Sequence, residues 1–522
     1  MSIVSPVTGE AVWVPETVPA ILERAVRERR DDVALVSVDC ELTYAQYGAA
    51  VTRLAHRLAR HGTRGDTVAI VLPNMAATAI AIFAAQSAGM VAATLNPDYT
   101  AAELAPMIED AAPACTIVSS EVHQRIAGLL GETETILITS DSAFLAELAK
   151  EPEDSSPLPA PSPDDLAVLQ FTGGSTGRPK GVELTHRAVA TNIAQREAVL
   201  PTQFGDERVL GFMPMFHSFA AAMCVNFAAY AAGKLVILPR YRPDWVVEAL
   251  QRHAITRLPA GPTVFNSLIQ YDGLSREATA SLRCAYSGSA PLGVETLARW
   301  DALTGVPVFE GYGQSEAGPI LTYFGPGMTV KPGSVGPPLP GTQIRIVDPA
   351  DPTRDLATGE AGEILARGPQ VMRGYRALAE ETAETLRGGW LHTGDIGTLD
   401  ADGVLTIADR KKDMVLISGY NVFPREVDEA LLAHPDIAAA ACVGVPDSYR
   451  GERLVAFVTP GEGCESDAQG LSEWLAERLV RYKRPAEYRV LGALPLTAAG
   501  KIDKQALKRA ALEPAGEARH VA

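Results

Sequence analysis

At 522 residues the chain is longer than one hydrophobic core organises, so two or more domains are expected. Hydrophobic and charged contents of 47% and 21% are those of an ordinary globular protein. A net charge of −17 argues against nucleic acid and anionic bilayer surfaces as partners, because both demand clustered basic residues.

The first residues, Met1-Ser2-Ile3-Val4-Ser5-Pro6, contain no basic stretch followed by an apolar core. Further on, 68–72 reads as a strand and 76–88 as an apolar helix after it, and strand-like runs recur at 116–118, 234–238 and 283–286. Such alternation implies parallel sheets covered by helices. The acidic, proline-rich stretch 151–165 reads as a linker, and 166–169 as a strand. The longest apolar run, 219–232, is broken by Asn226 and too short to span a bilayer. From about Pro332 short strands punctuated by glycine, such as 343–347 and 362–366, suggest a β-rich subdomain. After the charged run 409–413 come a helix over 424–433, strands over 440–445 and 454–459, and a helix over 471–480. The expected fold is α/β: a large N-terminal domain (1–409) of helix-covered, mainly parallel sheets with a β-rich subdomain, and a small α+β C-terminal domain (410–522). Six scattered cysteines without Cys-x-x-Cys spacing give no disulfide framework or zinc site. The expectation is a soluble, cytoplasmic protein with no integral membrane segment.

The most informative stretch is Phe171-Thr172-Gly173-Gly174-Ser175-Thr176-Gly177-Arg178-Pro179-Lys180-Gly181. Its four glycines, three hydroxyl residues and two cations make poor core and poor helix but a good polyphosphate cradle. Glycine lets backbone N–H groups wrap an anion, hydroxyls add donors, and Lys180 and Arg178 supply neutralising charge. It follows the strand at 166–169 and precedes Thr185-His186-Arg187, which reads as a capped helix start, so a strand, glycine loop and helix are expected in that order. No Gly-Lys-Ser/Thr closes it, which sets it apart from the common NTPase loop.

This loop resembles the phosphate-binding signature of the adenylate-forming enzymes: acyl- and aryl-CoA synthetases, peptide-synthetase adenylation domains and firefly-type luciferases. Further segments fall in that family's order from Leu166 to Lys504. In Glu310-Gly311-Tyr312-Gly313-Gln314-Ser315-Glu316, the resemblance implies that Tyr312 and the glycines line adenine, that Ser315 contacts the α-phosphate, and that Glu316 helps hold Mg²⁺. A carboxylate is the hard oxygen ligand that this ion requires. Gly288-Ser289-Ala290 resembles the other adenine-side loop. Asp395, in His392-Thr393-Gly394-Asp395, and Arg410 match the ribose contacts, and Lys412 the hinge of the small domain, at about 410–413. Pro495-Leu496-Thr497-Ala498-Ala499-Gly500-Lys501 resembles the C-terminal signature whose lysine enters the site during adenylation. A cation there stabilises charge built up as a carboxylate attacks the α-phosphorus. The catalytic residues implied are Lys501, Glu316 and His217, the last gating the acyl pocket in Met213-Pro214-Met215-Phe216-His217.

Within the family, no acidic residue follows His217 to hold a substrate ammonium, which speaks against amino-acid activation. Small residues at Ala220, Ala221, Ala222, Gly261 and Gly318 either leave room for an apolar tail or permit close packing, and Phe216 is a further acyl-pocket candidate. The segment from Asp409 to Pro424 resembles medium- and long-chain fatty-acyl-CoA synthetases. Leu416 replaces the lysine of luciferases and many aryl-CoA ligases, and no long insertion of the carrier-loading type follows. The implied substrates are a carboxylic acid, ATP with Mg²⁺, and free coenzyme A, with Ser418, Gly419 and Tyr420 at the CoA channel. Alternatives are an acyl-AMP ligase loading a carrier protein's phosphopantetheine, an aryl- or cinnamate-type CoA ligase, a luciferase-like mono-oxygenase and a non-catalytic regulator. Peripheral membrane contact and a homodimer are both compatible with the sequence.

Overall fold

The computed structural model describes residues 2–152, 154, 156–172, 178–290, 292–331, 333–411, 413–417, 420–447, 449–461, 463–464, 467–497 and 502–513, with backbone alone at 410, 420 and 421. The chain forms two compact units. One comprises Met1–Ile344 and Ala366–His392, the other Arg345–Leu365 and Thr393–Ala522.

Two large sheets organise the first unit. The eight-stranded sheet takes its strands in the order Ile320–Tyr323, Val308–Gly313, Cys284–Ser287, Arg257–Ala260, Arg208–Gly211, Lys234–Ile237, Val33–Val36, Glu41–Thr43. Its inner pairings are parallel and only the two outermost are antiparallel. The seven-stranded sheet runs Gly374–Tyr375, Lys180–Thr185, Leu166–Thr172, Val91–Thr94, Thr67–Val71, Cys115–Ser119, Glu134–Ile138. It is parallel except at its first two pairings. The helix Ala76–Ser87 has no polar face, and Ala76 to Gln86 are buried throughout, as a helix covered on all sides must be. The helix His186–Val199 is buried nearly all round as well, and its polar residues Asn192 and Gln195 therefore make their hydrogen bonds inside the protein.

One expectation is corrected. The glycine loop does not lead from a strand into a helix; it joins two antiparallel strands, with Lys180 in register opposite Thr172 and Gly181 opposite Phe171. A six-residue strand, Lys180–Thr185, lies between the loop and the helix capped by Thr185. The physical reason is the alternation in that strand: Val182 and Leu184 are buried, while Lys180, Glu183 and Thr185 are partly exposed. A strand pair thus flanks the loop, and the helix capped by Thr185 begins only after the second of these strands.

A buried ion pair pins the starts of two inner parallel strands, Arg208–Gly211 and Arg257–Ala260. Glu207 accepts both Nη2 (2.7 Å) and Nε (2.9 Å) of Arg257, together with Thr256 Oγ1 (2.6 Å) and the Gln203 amide (2.9 Å). Arg257 Nη1 reaches on to the Tyr286 hydroxyl at 2.8 Å, joining three neighbouring strand segments. Burial pushes the Glu207 carboxyl up, but Arg257 and the other donors outweigh it and bring it down to about 2. Its stabilising contribution is present above the usual carboxylate range and is lost as pH falls toward about 2.

The second unit holds a four-stranded sheet (Gln343–Val347, Gly362–Arg367, Leu391–Leu399, Leu405–Arg410), whose first three strands cross the unit boundary. Its five-stranded sheet is built on the long hairpin Ile437–Asp447 and Gly451–Pro460, with Val415–Ile417, Tyr420–Val422 and the parallel strand Glu487–Val490. Helices Pro424–Leu432 and Ala468–Ala476 pack on one apolar cluster, which includes Val427, Leu431, Leu471 and Leu475. Lys504–Leu512 packs on another through Leu507 and Ala511. The second of these helices ends at Ala476, short of 480, and a short 3₁₀ turn follows at Arg481–Lys483. Among the described residues no helix is long and apolar enough to cross a membrane.

Replacing Glu207 by Gln leaves Arg257 buried and under-paired, and is expected to cost about 3 kcal/mol of stability at pH 7. Urea unfolding at pH 7 and pH 3 checks this: the gap between wild type and Glu207→Gln should shrink at the lower pH.

Candidate active site

In the first unit the conspicuous polar residues gather around the ends of two strands. Strand Val308–Gly313 ends in the turn Ser315–Ala317, which carries Ser315 and Glu316. Tyr375 donates its hydroxyl hydrogen to Glu316 Oε1 at 2.8 Å, and the Met372 amide donates to the Glu316 carbonyl at 2.9 Å. Lys180 stands over the Tyr375 ring, its Nζ 5.0 Å from the centroid. The Ser218 and Ser315 hydroxyls lie 3.2 Å apart, which brings the segment after His217 to the same turn. Tyr312 packs partly buried against Ala317, Leu321, Ala366 and Leu391. Glu310 is buried, and its Oε2 accepts the Leu292 amide at 3.1 Å, tying its strand to the end of the 288–290 loop.

That loop is shaped by close approach. A Cβ on Gly288 would lie 2.8 Å from the Phe219 ring, and Ser289 takes a left-handed φ of 69°. Gly288 is buried, whereas Ser289 and Ala290 are exposed. Gly261 lies nearby: a Cβ there would meet only Met213 Cε at 3.9 Å and the Gly288 carbonyl at 4.0 Å. Gly318 differs, because the space a Cβ would need is filled by the Gln370 carbonyl oxygen, 2.7 Å away.

The segment 213–217 is held by residues that reading the sequence missed. Asn74 donates Nδ2 to the Met213 carbonyl (3.1 Å) and the Leu238 carbonyl (3.4 Å), and its Oδ1 accepts the Met215 amide (2.8 Å). The Phe216 carbonyl accepts both Thr94 Oγ1 and Gln170 Nε2 at 3.0 Å. His217 caps the short helix Ser218–Ala220, its Nδ1 accepting the Phe219 amide at 3.2 Å. A π-helical segment, Ala221–Asn226, follows. Phe216, His217 and Ala221 are partly exposed, and Ala220 is buried.

In the second unit Asp395 and Arg410 are directly opposed Cα partners on antiparallel strands. The Asp395 amide donates to Thr393 Oγ1 at 3.1 Å, and the Lys411 amide to the Gly394 carbonyl at 2.8 Å. Thr172 ends the strand before the glycine loop. Gly173, Gly174, Ser175, Thr176, Gly177, Lys412, Ser418, Gly419 and Lys501 lie outside the described residues, as do the side chains of Arg410 and Tyr420.

Residues 22–376 match the model of the AMP-binding enzymes, and residues 426–501 that of the AMP-binding enzyme C-terminal domain. A long-chain-fatty-acid–CoA ligase of Bacillus subtilis (strain 168) is 35% identical, with 97% of this chain and 96% of that protein covered. A feruloyl-CoA synthase of an Amycolatopsis species is 34% identical over 90% and 94% of the two chains. The crystal structure of ATP-bound MatB from Rhodopseudomonas palustris superposes with a TM-score of 0.89 at 29% identity, covering 95% of this chain and 99% of that one. The chain belongs to the AMP-binding enzyme family, whose members form adenylates.

Asn74→Leu keeps the branched skeleton of four heavy side-chain atoms, removes three hydrogen bonds and should lower stability by about 2 kcal/mol. It should also speed amide hydrogen exchange at Met215 relative to the strands around it, as hydrogen-exchange mass spectrometry would register.

Proposed function

We propose that this chain is an AMP-forming acyl-CoA synthetase acting on medium- or long-chain fatty acids. The observation that carries the phosphate chemistry is the convergence of Lys180, Tyr375, Glu316 and Ser315 in the first unit. In this reading the loop from Thr172 through Gly173, Gly174, Ser175, Thr176 and Gly177 to Lys180 cradles the β- and γ-phosphates of ATP. Tyr312, Gly311, Gly313 and the 288–290 loop line adenine, and Ser315 meets the α-phosphate. Asp395 and Arg410, in register on neighbouring strands, hold the ribose hydroxyls.

Glu316 suits Mg²⁺ by its chemistry. It is a carboxylate on a short turn, oriented by the Tyr375 hydroxyl and anchored through its carbonyl by the Met372 amide. The bound ion would supply charge neutralisation for the phosphates.

The reaction has two half-reactions. A carboxylate oxygen of the acid attacks the α-phosphorus, the bond to the bridging oxygen breaks, and pyrophosphate leaves. Lys501 stabilises the charge that builds between carboxylate and phosphate. The C-terminal domain, from residue 410, then turns about Lys412 and brings Ser418, Gly419 and Tyr420 to the pantetheine path. The CoA sulfur attacks the acyl carbonyl, the bond to AMP breaks, and the thiol proton goes to solvent; an activated adenylate needs no strong base. His217 shapes the pocket mouth with Phe216, while Ala220, Ala221 and Gly261 leave the apolar room, and Gly318 serves close packing against Gln370.

The similarity to a feruloyl-CoA synthase keeps an aryl acid as the second reading. Release of AMP and pyrophosphate measured across acids from acetate to oleate and ferulate, with and without CoA, separates the two. CoA-dependent AMP release peaking at medium or long chains supports the fatty-acid reading, and a peak at ferulate replaces it. Pyrophosphate release without stimulation by CoA points to a carrier-protein acceptor.

Lys501→Ala is expected to slow acyl-AMP formation by roughly 10²–10³-fold. It should still convert supplied acyl-AMP and CoA to acyl-CoA at near wild-type rate. Equal loss in both half-reactions would remove Lys501 from its role.

A further inference from the structure

Lys180 and Glu316 stand on separate elements, 136 residues apart in the chain, yet one side chain touches both. Tyr375 presents its ring face to the Lys180 ammonium and its hydroxyl to the Glu316 carboxylate. We propose that Tyr375 is a positioning residue that sets the phosphate cation Lys180 and the metal-side carboxylate Glu316 for adenylation. The inference rests on the roles proposed above for those two residues.

The backbone around Tyr375 is built for such a task. Tyr375 pairs in register with Val182, and the Arg376 amide donates to the Gly181 carbonyl at 2.8 Å, so the segment rides on the strand that begins with Lys180. Three residues earlier, Met372 binds the Glu316 carbonyl. The Tyr375 amide donates to Thr382 Oγ1 at 2.9 Å, and the Arg376 guanidinium donates to Glu183 at 2.8 Å. Segment 372–376 is therefore tied both to the turn bearing Glu316 and to the strand bearing Lys180, and the side chain repeats that link.

The two handles are chemically different. A phenol donating to one carboxylate oxygen orients that group and leaves its negative charge in place. The face of an aromatic ring attracts an ammonium within about 6 Å without neutralising it. Lys180 and Glu316 are thus each held in place while their charges stay available for phosphate and for cation.

Calorimetric ATP affinity, measured with excess Mg²⁺ and with EDTA, tests this without turnover. Tyr375→Phe keeps the ring and removes the hydroxyl. It should cut the Mg²⁺-dependent gain in ATP affinity by about five- to tenfold and leave the metal-free affinity unchanged. Tyr375→Leu, which also removes the ring, should weaken metal-free ATP binding by about threefold as well. Acyl-AMP formation should fall in the same order, with melting temperatures near wild type. Glu316→Gln is the reference and should abolish the Mg²⁺-dependent gain. If it does and Tyr375→Phe retains a wild-type gain, the hydroxyl has no positioning role and the inference is overturned. If Glu316→Gln retains the gain, Glu316 is not the metal carboxylate and the proposed reading fails at that residue. The metal-free arm then still decides the Lys180 half: equal affinities for Tyr375→Leu and wild type would overturn it.

Discussion

Much of the first unit's site depends on strand Lys180–Thr185 having a partner along each edge. On one side it pairs with Leu166–Thr172, which fixes where the glycine loop leaves and re-enters the sheet. On the other it pairs with Gly374–Tyr375, a two-residue strand contributed from nearly two hundred residues away. A period of two in side-chain direction makes such pairing intolerant of slippage, since a one-residue shift would turn Val182 and Leu184 out of the core. The register that buries those two residues also fixes where Lys180 stands. Backbone pairing, driven by apolar burial, thereby sets the position of charged groups that contribute nothing to the core.

Polar groups inside the unit extend this control. Gln195 Nε2 reaches the Pro340 carbonyl at 2.8 Å, and Gln370 Nε2 donates to Thr342 Oγ1 at 2.6 Å. Asn192 brackets Ile320, donating to its carbonyl at 2.8 Å and accepting its amide at 3.1 Å. These bonds meet next to Gly318 and the Glu316 turn. Each adds modest net stability, but leaving one member unsatisfied is costly, so the group has essentially one acceptable geometry. Glu207 and Arg257 act similarly on the parallel strands that lead to the 288–290 loop.

How much of this was legible in the sequence follows from the range of each signal. Alternating apolar runs mark the parallel sheets, and the roles proposed for Tyr312, Ser315, Glu316, Asp395 and Arg410 rest on consecutive motifs, whose chemistry is written in contiguous residues. The strand Lys180–Thr185 carries little signal in the sequence, because a lysine-glycine start and a Thr185 cap leave only Val182 and Leu184 to mark it. Asn74, Thr94, Gln170 and Tyr375 carried no local signal. Each is a single polar residue whose partner lies at least 46 residues away, so its function exists only once the sheets are assembled.

The glycines around the site divide into two kinds, with a consequence for how far this enzyme's selectivity can be altered. At Gly311 a side chain would collide with the Tyr323 ring, and at Gly313 with the Pro319 carbonyl. The strand Val308–Gly313 is therefore closed to sequence variation at both positions, whatever substrate the protein is asked to accept. Gly261 is buried yet would offer a methyl group ordinary contacts only. In the reading proposed above its neighbourhood is a wall of the acyl pocket, one where a family sharing this backbone could exchange volume for selectivity through ordinary contacts with Met213 and the Gly288 carbonyl. Drift and design have the same cheap coordinate available there.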